Sequence, residues 1–276
     1  MSPNQTLFLK TSPALPYVEM RSASHSSACY RTHSHDEFSF GVIDRGRADY
    51  HNRQHKNRVG AGVTVTINPG DVHACNPSGN RWSYRMLFVE AAWLGRLQQE
   101  LTGTSQDYEP FPTLFETSAQ TYQQFHRLFA TLEHETNLLL AEGLLVEFLQ
   151  PHFAALDRSA TTTTRRDQPG LAAVRELIMD QLDHNLSLDT LCRLANLSRY
   201  QLIRRFKQVY GQTPHAYQLD QRIKKAKTLL RRDGYSVNTV AHELGFSDQA
   251  HFQRHFKQRL AITPGKYQSF FKPKPA

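Results

Sequence analysis

Ala241-His-Glu-Leu-Gly-Phe-Ser-Asp-Gln-Ala-His-Phe-Gln-Arg-His-Phe-Lys257, followed by Ile262-Thr-Pro-Gly-Lys-Tyr267, has an earlier counterpart in the same chain. The offset is 50 residues: Leu194 matches Leu244, Arg204 matches Arg254, and Phe206-Lys207-Gln208 matches Phe256-Lys257-Gln258. Thr213-Pro214 matches Thr263-Pro264, Tyr217 matches Tyr267, Ala195 stands opposite Gly245, and Leu202 opposite Phe252. A register held through so many positions means one supersecondary unit written twice.

Each copy reads as two short helices with a tight turn. In copy one, Leu188, Leu191 and Leu194 give a short apolar helix and Asn196-Leu-Ser198 the turn. Ser198 is the N-cap of a second helix from Arg199 to about Tyr210, with Leu202 and Phe206 inside and Gly211 as its stop. In copy two, Val237, Val240 and Leu244 precede the turn at Gly245, and Asp248 caps a helix that buries Phe252 and Phe256. This is the pattern of tandem helix-turn-helix units over about 188–209 and 238–259. Two copies are too few for a solenoid.

The outward positions of the second helices carry long polar donors. In copy one they are Arg199, Tyr200, Gln201, Ile203, Arg204 and Lys207; in copy two, Gln249, Ala250, His251, Gln253, Arg254 and Lys257. Arg and Gln match guanine and adenine edges bidentately, and Lys anchors phosphates. Ile203 is apolar and fits a thymine methyl. Between the copies one long helix is expected from about Pro214 to Arg231, with a stripe of Ile223, Ala226, Leu229 and Leu230 among Arg222, Lys224, Lys225, Lys227 and Arg231. A stiff connector would let one chain enter two successive major grooves, about 34 Å apart.

Charge follows the same division. Residues 171–276 carry 18 Lys and Arg against 8 Asp and Glu, whereas residues 1–170 carry 15 against 17. The net charge of +8 therefore belongs to the last third of the 276-residue chain, which points to a polyanion such as double-stranded DNA.

The front of the chain reads differently. Up to about residue 90 it is β-rich, with runs at Phe38–Ile43, Val63–Ile67 and Tyr84–Val89 punctuated by Gly46, Gly60, Gly62 and Pro69-Gly70, the pattern of a sandwich or small barrel. Residues 118–156 give two amphipathic helices, on Phe125, Leu128, Phe129 and Leu132 and then on Leu140, Leu144, Leu145, Phe148 and Leu149. They cover the β-domain, and one of them is a candidate homodimer interface. The expected organisation is a front domain over 1–156, a Thr-rich linker over 157–170 and a basic helical domain over 171–272. No run of eighteen apolar residues and no signal-peptide order occur, and Cys29, Cys75 and Cys192 are odd in number and scattered. A cytoplasmic protein without membrane association is expected.

The stretch quoted first resembles the signature of the AraC/XylS family of bacterial transcription regulators over about residues 171–270. The resemblance implies that both second helices read promoter DNA, that an activator would also meet RNA polymerase, and that the fold is multi-domain, with an all-α tandem helix-turn-helix domain at the C-terminus. His33-Ser-His35, Glu37 and Asn68-Pro-Gly-Asp-Val-His73 resemble the cupin-like sensor domain that precedes many such DNA-binding halves. That resemblance implies a small-molecule effector, such as an amino acid or an aromatic acid, in a pocket for which Tyr30, Arg31, His33, His35, Phe40, Tyr50, His73, Asn76, Trp82 and Arg85 are candidates. Arg31 or Arg85 would hold a carboxylate.

A rival is a metal-dependent cupin enzyme fused to a DNA-binding module. His33 and His35 would share one face of a strand and, with His73, supply three nitrogens for Zn, Fe or Mn. The usual carboxylate four residues after the second histidine is missing, since Ser39 and Phe40 stand there and Glu37 is too close. Pocket or hydrogen-bonding roles therefore rank ahead of metal ligation, and neither cofactor nor enzyme activity is expected. No nucleophile elbow or phosphate-binding glycine loop is present. A third reading is an unregulated DNA-binding protein whose front domain only dimerises.

Overall fold

The computed structural model describes residues 7–79, 81–102, 107–134, 136–156 and 169–271. The expected linker falls almost wholly outside the described residues. The chain divides into two compact units, one of 1–29 with 34–162 and one of 163–276 with the short segment Tyr30–His33.

The front unit is built on β1 (Leu7–Thr11), β2 (Val18–Ser26), β3 (Phe38–Arg45), β4 (Arg47–Asn52), β5 (His55–Gly60), β6 (Thr64–Ile67), β7 (His73–Pro77) and β8 (Trp82–Val89), then helix α1 (Ala91–Thr102), strand β9 (Phe115–Glu116), α2 (Ala119–His134) and α3 (Leu138–Leu156). The strands form a six-stranded sheet in the order β1-β2-β8-β3-β6-β9 and a three-stranded sheet β5-β4-β7, all pairs antiparallel. The fold class is as expected, in open two-sheet form. The Tyr50 hydroxyl on β4 donates to the Thr66 carbonyl on β6 at 2.7 Å, so the two sheets face each other.

Strand β3 is buried on both faces. Phe38, Phe40 and Val42 join Val18, Met20, Leu87 and Val89 in a core closed by Phe125, Leu128 and Phe129 of α2 and Leu145, Phe148 and Leu149 of α3. The alternate positions of β3 and β8 turn to the second sheet. α1 has no counterpart in the sequence reading. Its buried face includes Gln98, whose side chain exchanges two hydrogen bonds with the Glu109 backbone, so a polar residue stands where periodicity needs an apolar one. Gly95 on the same helix lets the chain pass closely: a Cβ there would lie 1.6 Å from the Asp107 carbonyl oxygen.

The C-terminal unit contains α4 (Pro169–Asp180), α5 (Leu188–Ala195), α6 (Arg199–Tyr210), α7 (Pro214–Arg231), α8 (Val237–Glu243), α9 (Gln249–Leu260) and α10 (Pro264–Ser269). Helix α4 starts two residues before the expected boundary at Leu171. The side chains of Ser187, Ser198, Thr213, Ser236, Asp248 and Thr263 each accept a backbone N–H at a helix start, satisfying a donor that would otherwise have no intrahelical partner. Gly211 ends α6 in the left-handed region at φ 75°.

Helix α7 is the centre of this unit. Gln218 through Ile223 are buried without interruption, so its middle is covered on every side, and it packs against α4, α6, α8, α9 and α10. One small core, Leu171, Val174, Ile178, Leu191, Leu202 and Phe206, holds copy one. In copy two Phe252 meets Phe256, and Phe256 meets Tyr267. One expectation fails locally. Leu194 is 43% exposed, because the buried stripe of α5 runs through Leu188, Leu191, Cys192 and Ala195 and leaves position 194 outside it.

Candidate functional site

In copy one, α5, the turn at Asn196 and α6 are held together locally. Asn196 adopts the left-handed region at φ 51°, a conformation asparagine tolerates, and Ser198 and Gln201 form a reciprocal capping box. Arg204, Lys207 and Ile203 are exposed on α6, as expected of a reading surface. Two expected readers are engaged elsewhere. Arg199 donates from Nε and Nη2 to the two carboxylate oxygens of Asp189 at 2.8 and 2.9 Å, closing α6 onto α5. The Gln201 side-chain oxygen accepts the Ser198 N–H at 3.1 Å. The side chain of Tyr200 lies outside the described residues. Ile203 stands beside Ile178, Leu186 and Leu188 on an apolar depression of about 340 Å³.

In copy two, Gln249, Ala250, Arg254 and Lys257 are exposed on α9, while His251 and Gln253 are half-buried. His251 packs edge-on against Phe246 and His255, with ring centroids 5.6 and 4.6 Å away. Burial first, then the positive charges of Arg259, His251 and Arg254, push His255 down to about 4, so its ring is neutral at ordinary pH.

The loop that leads into copy one and the turn of copy two are joined through α7. Arg222 is only 2% exposed, although the sequence reading places it among the charged residues around the stripe. Its guanidinium donates to the carbonyls of Leu182 (2.6 Å), His184 (2.9 Å) and Gly245 (2.8 Å), and lies over the Phe246 ring at 5.7 Å. Gly245 is left-handed at φ 67°, and a Cβ there would come within 1.8 Å of the Asp183 carbonyl oxygen. Below them, Arg259 of α9 faces Asp220 of α7 at 3.4 Å in a buried ion pair.

The front-unit candidates separate into groups. His35, Tyr50, His73 and Trp82 lie on the sides of the strands and loops that face between the two sheets: the rings of His35 and His73 are 4.8 Å apart, and His35 is 5.3 Å from Phe88. Phe40 is on the opposite, helix-facing side, stacked on Phe148 at 4.7 Å. Arg85 is also on the helix side, donating to Asp44. Asn76 pairs with Asp49 in the register of β4 and β7 and so points away from Tyr50 and Cys75. Tyr30, Arg31 and His33 group with the C-terminal unit, where the Arg31 N–H donates to the Gln258 carbonyl at 3.0 Å.

The three-histidine arrangement does not form. Residues 27–37 are irregular apart from a single bridge at His33, so His33 and His35 do not share a strand face. His33 is exposed. His35 Nδ1 lies 2.7 Å from the Glu37 carbonyl and must donate to it, which leaves Nε2 to accept from the Ser39 hydroxyl at 3.2 Å. The lone pair a metal would need is therefore taken, and no group of three metal-ligating side chains occurs among the described residues. The three cysteines are free thiols, and burial pushes the Cys75 thiol up to about 12, the reverse of an activated nucleophile. No helix among the described residues is long and apolar enough to cross a membrane.

Comparison with known proteins agrees with both halves. The model of the AraC-like ligand binding domain matches residues 15–149, and that of a helix-turn-helix domain matches residues 191–269. An uncharacterized HTH-type transcriptional regulator of Bacillus subtilis, YbfI, is 26% identical over 90% of each chain. The activator RhaS of Escherichia coli is 24% identical over 86% of this chain and 87% of its own. Among solved structures, apo ToxT of Vibrio cholerae superposes with a TM-score of 0.62 at 14% identity, covering 94% of this chain and 99% of its own. A ligand-binding front domain followed by a helix-turn-helix domain defines a one-component transcription regulator. The chain belongs to the AraC family of such regulators.

Proposed function

We propose that this protein is an effector-responsive transcription factor whose α6 and α9 enter successive major grooves of promoter DNA. The observation that carries the reading is the repetition itself. Arg204 and Lys207 on α6 recur as Arg254 and Lys257 on α9, all exposed, on two capped helices tied to one central helix. Arg204, Arg254, Gln249 and Gln253 contact base edges, Ile203 and Ala250 offer apolar contact to thymine methyls, and Lys207 and Lys257 bind phosphates. Arg199 and Gln201 act first as braces of the turn. Helix α7, about 27 Å long at 1.5 Å per residue, sets the separation of the heads.

The effector is a small polar or anionic molecule bound by the front unit, and its binding changes promoter occupancy, in the direction of activation. ToxT, which shares the fold, has been solved with an unsaturated fatty acid bound, so a small molecule can occupy this architecture. The protein works in the cytoplasm, as a homodimer through the front-unit helices, where the exposed Leu138, Leu139 and Leu140 begin α3. The test is fluorescence anisotropy of labelled promoter DNA with the full chain, with and without amino acids and aromatic acids. A shift in DNA affinity by one compound class, matched by an equal shift of that compound's affinity on adding DNA, supports the reading. Identical DNA affinity with every compound overturns effector control and leaves an unregulated DNA-binding protein.

A further inference from the structure

The helix-facing side of the six-stranded sheet changes character along its length. On β2 it runs Val18, Met20, Ser22, Ser24; on β3 Phe38, Phe40, Val42, Asp44; on β8 Val89, Leu87, Arg85, Ser83. β2 and β8 turn from apolar to polar at the Ser22–Arg85 pair, and β3 does so one inward position later, at Asp44, since Val42 also pairs with Arg85. α2 does the same: Phe125 and Phe129 enter the core, and Tyr122 and His126, one turn apart, stand over the polar end. The result is a cleft of about 460 Å³, within the size range of small-molecule sites.

Two irregularities frame it. The register of β2 against β8 shifts between Ala23 and Ser26, and His25 in that bulge is held at φ 52°, a conformation few non-glycine residues adopt. The register of β3 against β8 shifts between Ile43 and Arg45. Bulges re-aim side chains, and here they bring His25 and Arg45 to the same cleft. At its floor Asp44 accepts from Arg85 and from the Tyr122 hydroxyl at 3.1 Å, and lies 3.0 Å from His126 Nε2. Arg45 is exposed at the rim and has no ion-pair partner among the described residues. Asp44 is thus engaged by Arg85 and His126, while Arg45 and His25 line the same cleft without an ion pair to it.

We propose that this cleft binds a small molecule bearing one carboxylate, a site distinct from the space between the two sheets. The charge balance selects a monoanion: it complements Arg45 and Arg85 bidentately, whereas a phosphate dianion would meet Asp44 in the middle of the donors. The ligand body contacts Tyr122 and His126, so binding bears directly on the position of α2. The assignment rests on the reading that the front unit senses a small molecule, and it names the class.

The experiment is NMR of the isotope-labelled full chain titrated with sodium benzoate or sodium acetate, with benzamide and inorganic phosphate as controls. The expected result is a saturable, concerted movement of the signals of Ser22, His25, Arg85, Tyr122 and His126 with at least one carboxylate and not with benzamide. Arg45→Gln on the exposed rim should weaken that binding on the order of tenfold while leaving the spectrum of the core unchanged. His25→Asn, which keeps a residue tolerant of the left-handed conformation, should also weaken it. No movement with either carboxylate, movement that Arg45→Gln does not weaken, or stronger binding of phosphate overturns the proposal. If the DNA titration responds to a small molecule while these signals stay still, this site fails and effector control stands. If they move and DNA affinity does not, the site stands and effector control fails.

Discussion

The guanidinium of Arg222, in the middle of α7, donates to the carbonyl of Gly245 at 2.8 Å while its other nitrogens hold the carbonyls of Leu182 and His184. A single side chain thereby joins the loop that leads into the first helix-turn-helix to the turn of the second. Replacing it by an apolar residue, Arg222→Met, strands several buried carbonyls, each costing about 1–3 kcal/mol. The expected loss is about 3 kcal/mol or more of stability, read as the denaturant midpoint of the full chain.

Gly245 is the other half of that joint. At φ 67° and with the Asp183 carbonyl where a Cβ would sit, Gly245→Ala combines backbone strain with a clash. A cost of about 2 kcal/mol or more is expected in the same unfolding measurement. Gly234→Ala serves as the reference: φ there is also positive, at 83°, but no atom lies within 4 Å of its Cβ position, so it should cost less.

Asp189 holds Arg199 in a two-pronged pair on the surface of copy one. Asp189→Asn releases that guanidinium toward DNA. Because exposed pairs contribute little to folding, stability should hardly change. DNA binding should tighten at low salt, and the slope of log affinity against log salt should steepen by about one, the signature of an added phosphate contact. An unchanged slope means Arg199 does not reach the backbone even when released.

His255 gives the C-terminal unit a pH dependence of definite sign. Its pKa is about 4 in the fold, against an ordinary value of 6.5. Between those values the unfolded chain takes up a proton that the folded chain refuses. Stability should therefore fall as the pH drops through that window, and this group should add no slope above it. His215, also lowered, acts in the same direction. Urea midpoints measured on both sides of the ordinary histidine pKa should diverge less in His255→Gln than in the parent.

The C-terminal architecture was legible because its signals are local. Caps at Ser198 and Asp248, the stop at Gly211 and Pro214 after Thr213 are read from a few adjacent residues, and the repeat checks each against a second copy. What escaped depends on distant partners. Nothing near Arg222 announces that the carbonyls of residues 182, 184 and 245 converge on it, and nothing near Arg199 points to Asp189 ten positions earlier. In the front unit, the alternation around Phe40 does not tell which of two covered faces it enters, and His33 and His35 were paired by assuming a strand where the chain is irregular. The cleft under α2 was seen only as Arg85, since its other residues come from four separated stretches.

On the proposed function, one chain carries two DNA-reading heads. Selection of bound sequences from random double-stranded DNA by the full protein tests it most directly. Two short enriched blocks are expected, with centres about one helical turn apart, with Arg204→Ala relaxing one block and Arg254→Ala the other, each by about 1–3 kcal/mol. A single enriched block, or loss of both blocks together in either variant with the fold intact, would contradict it.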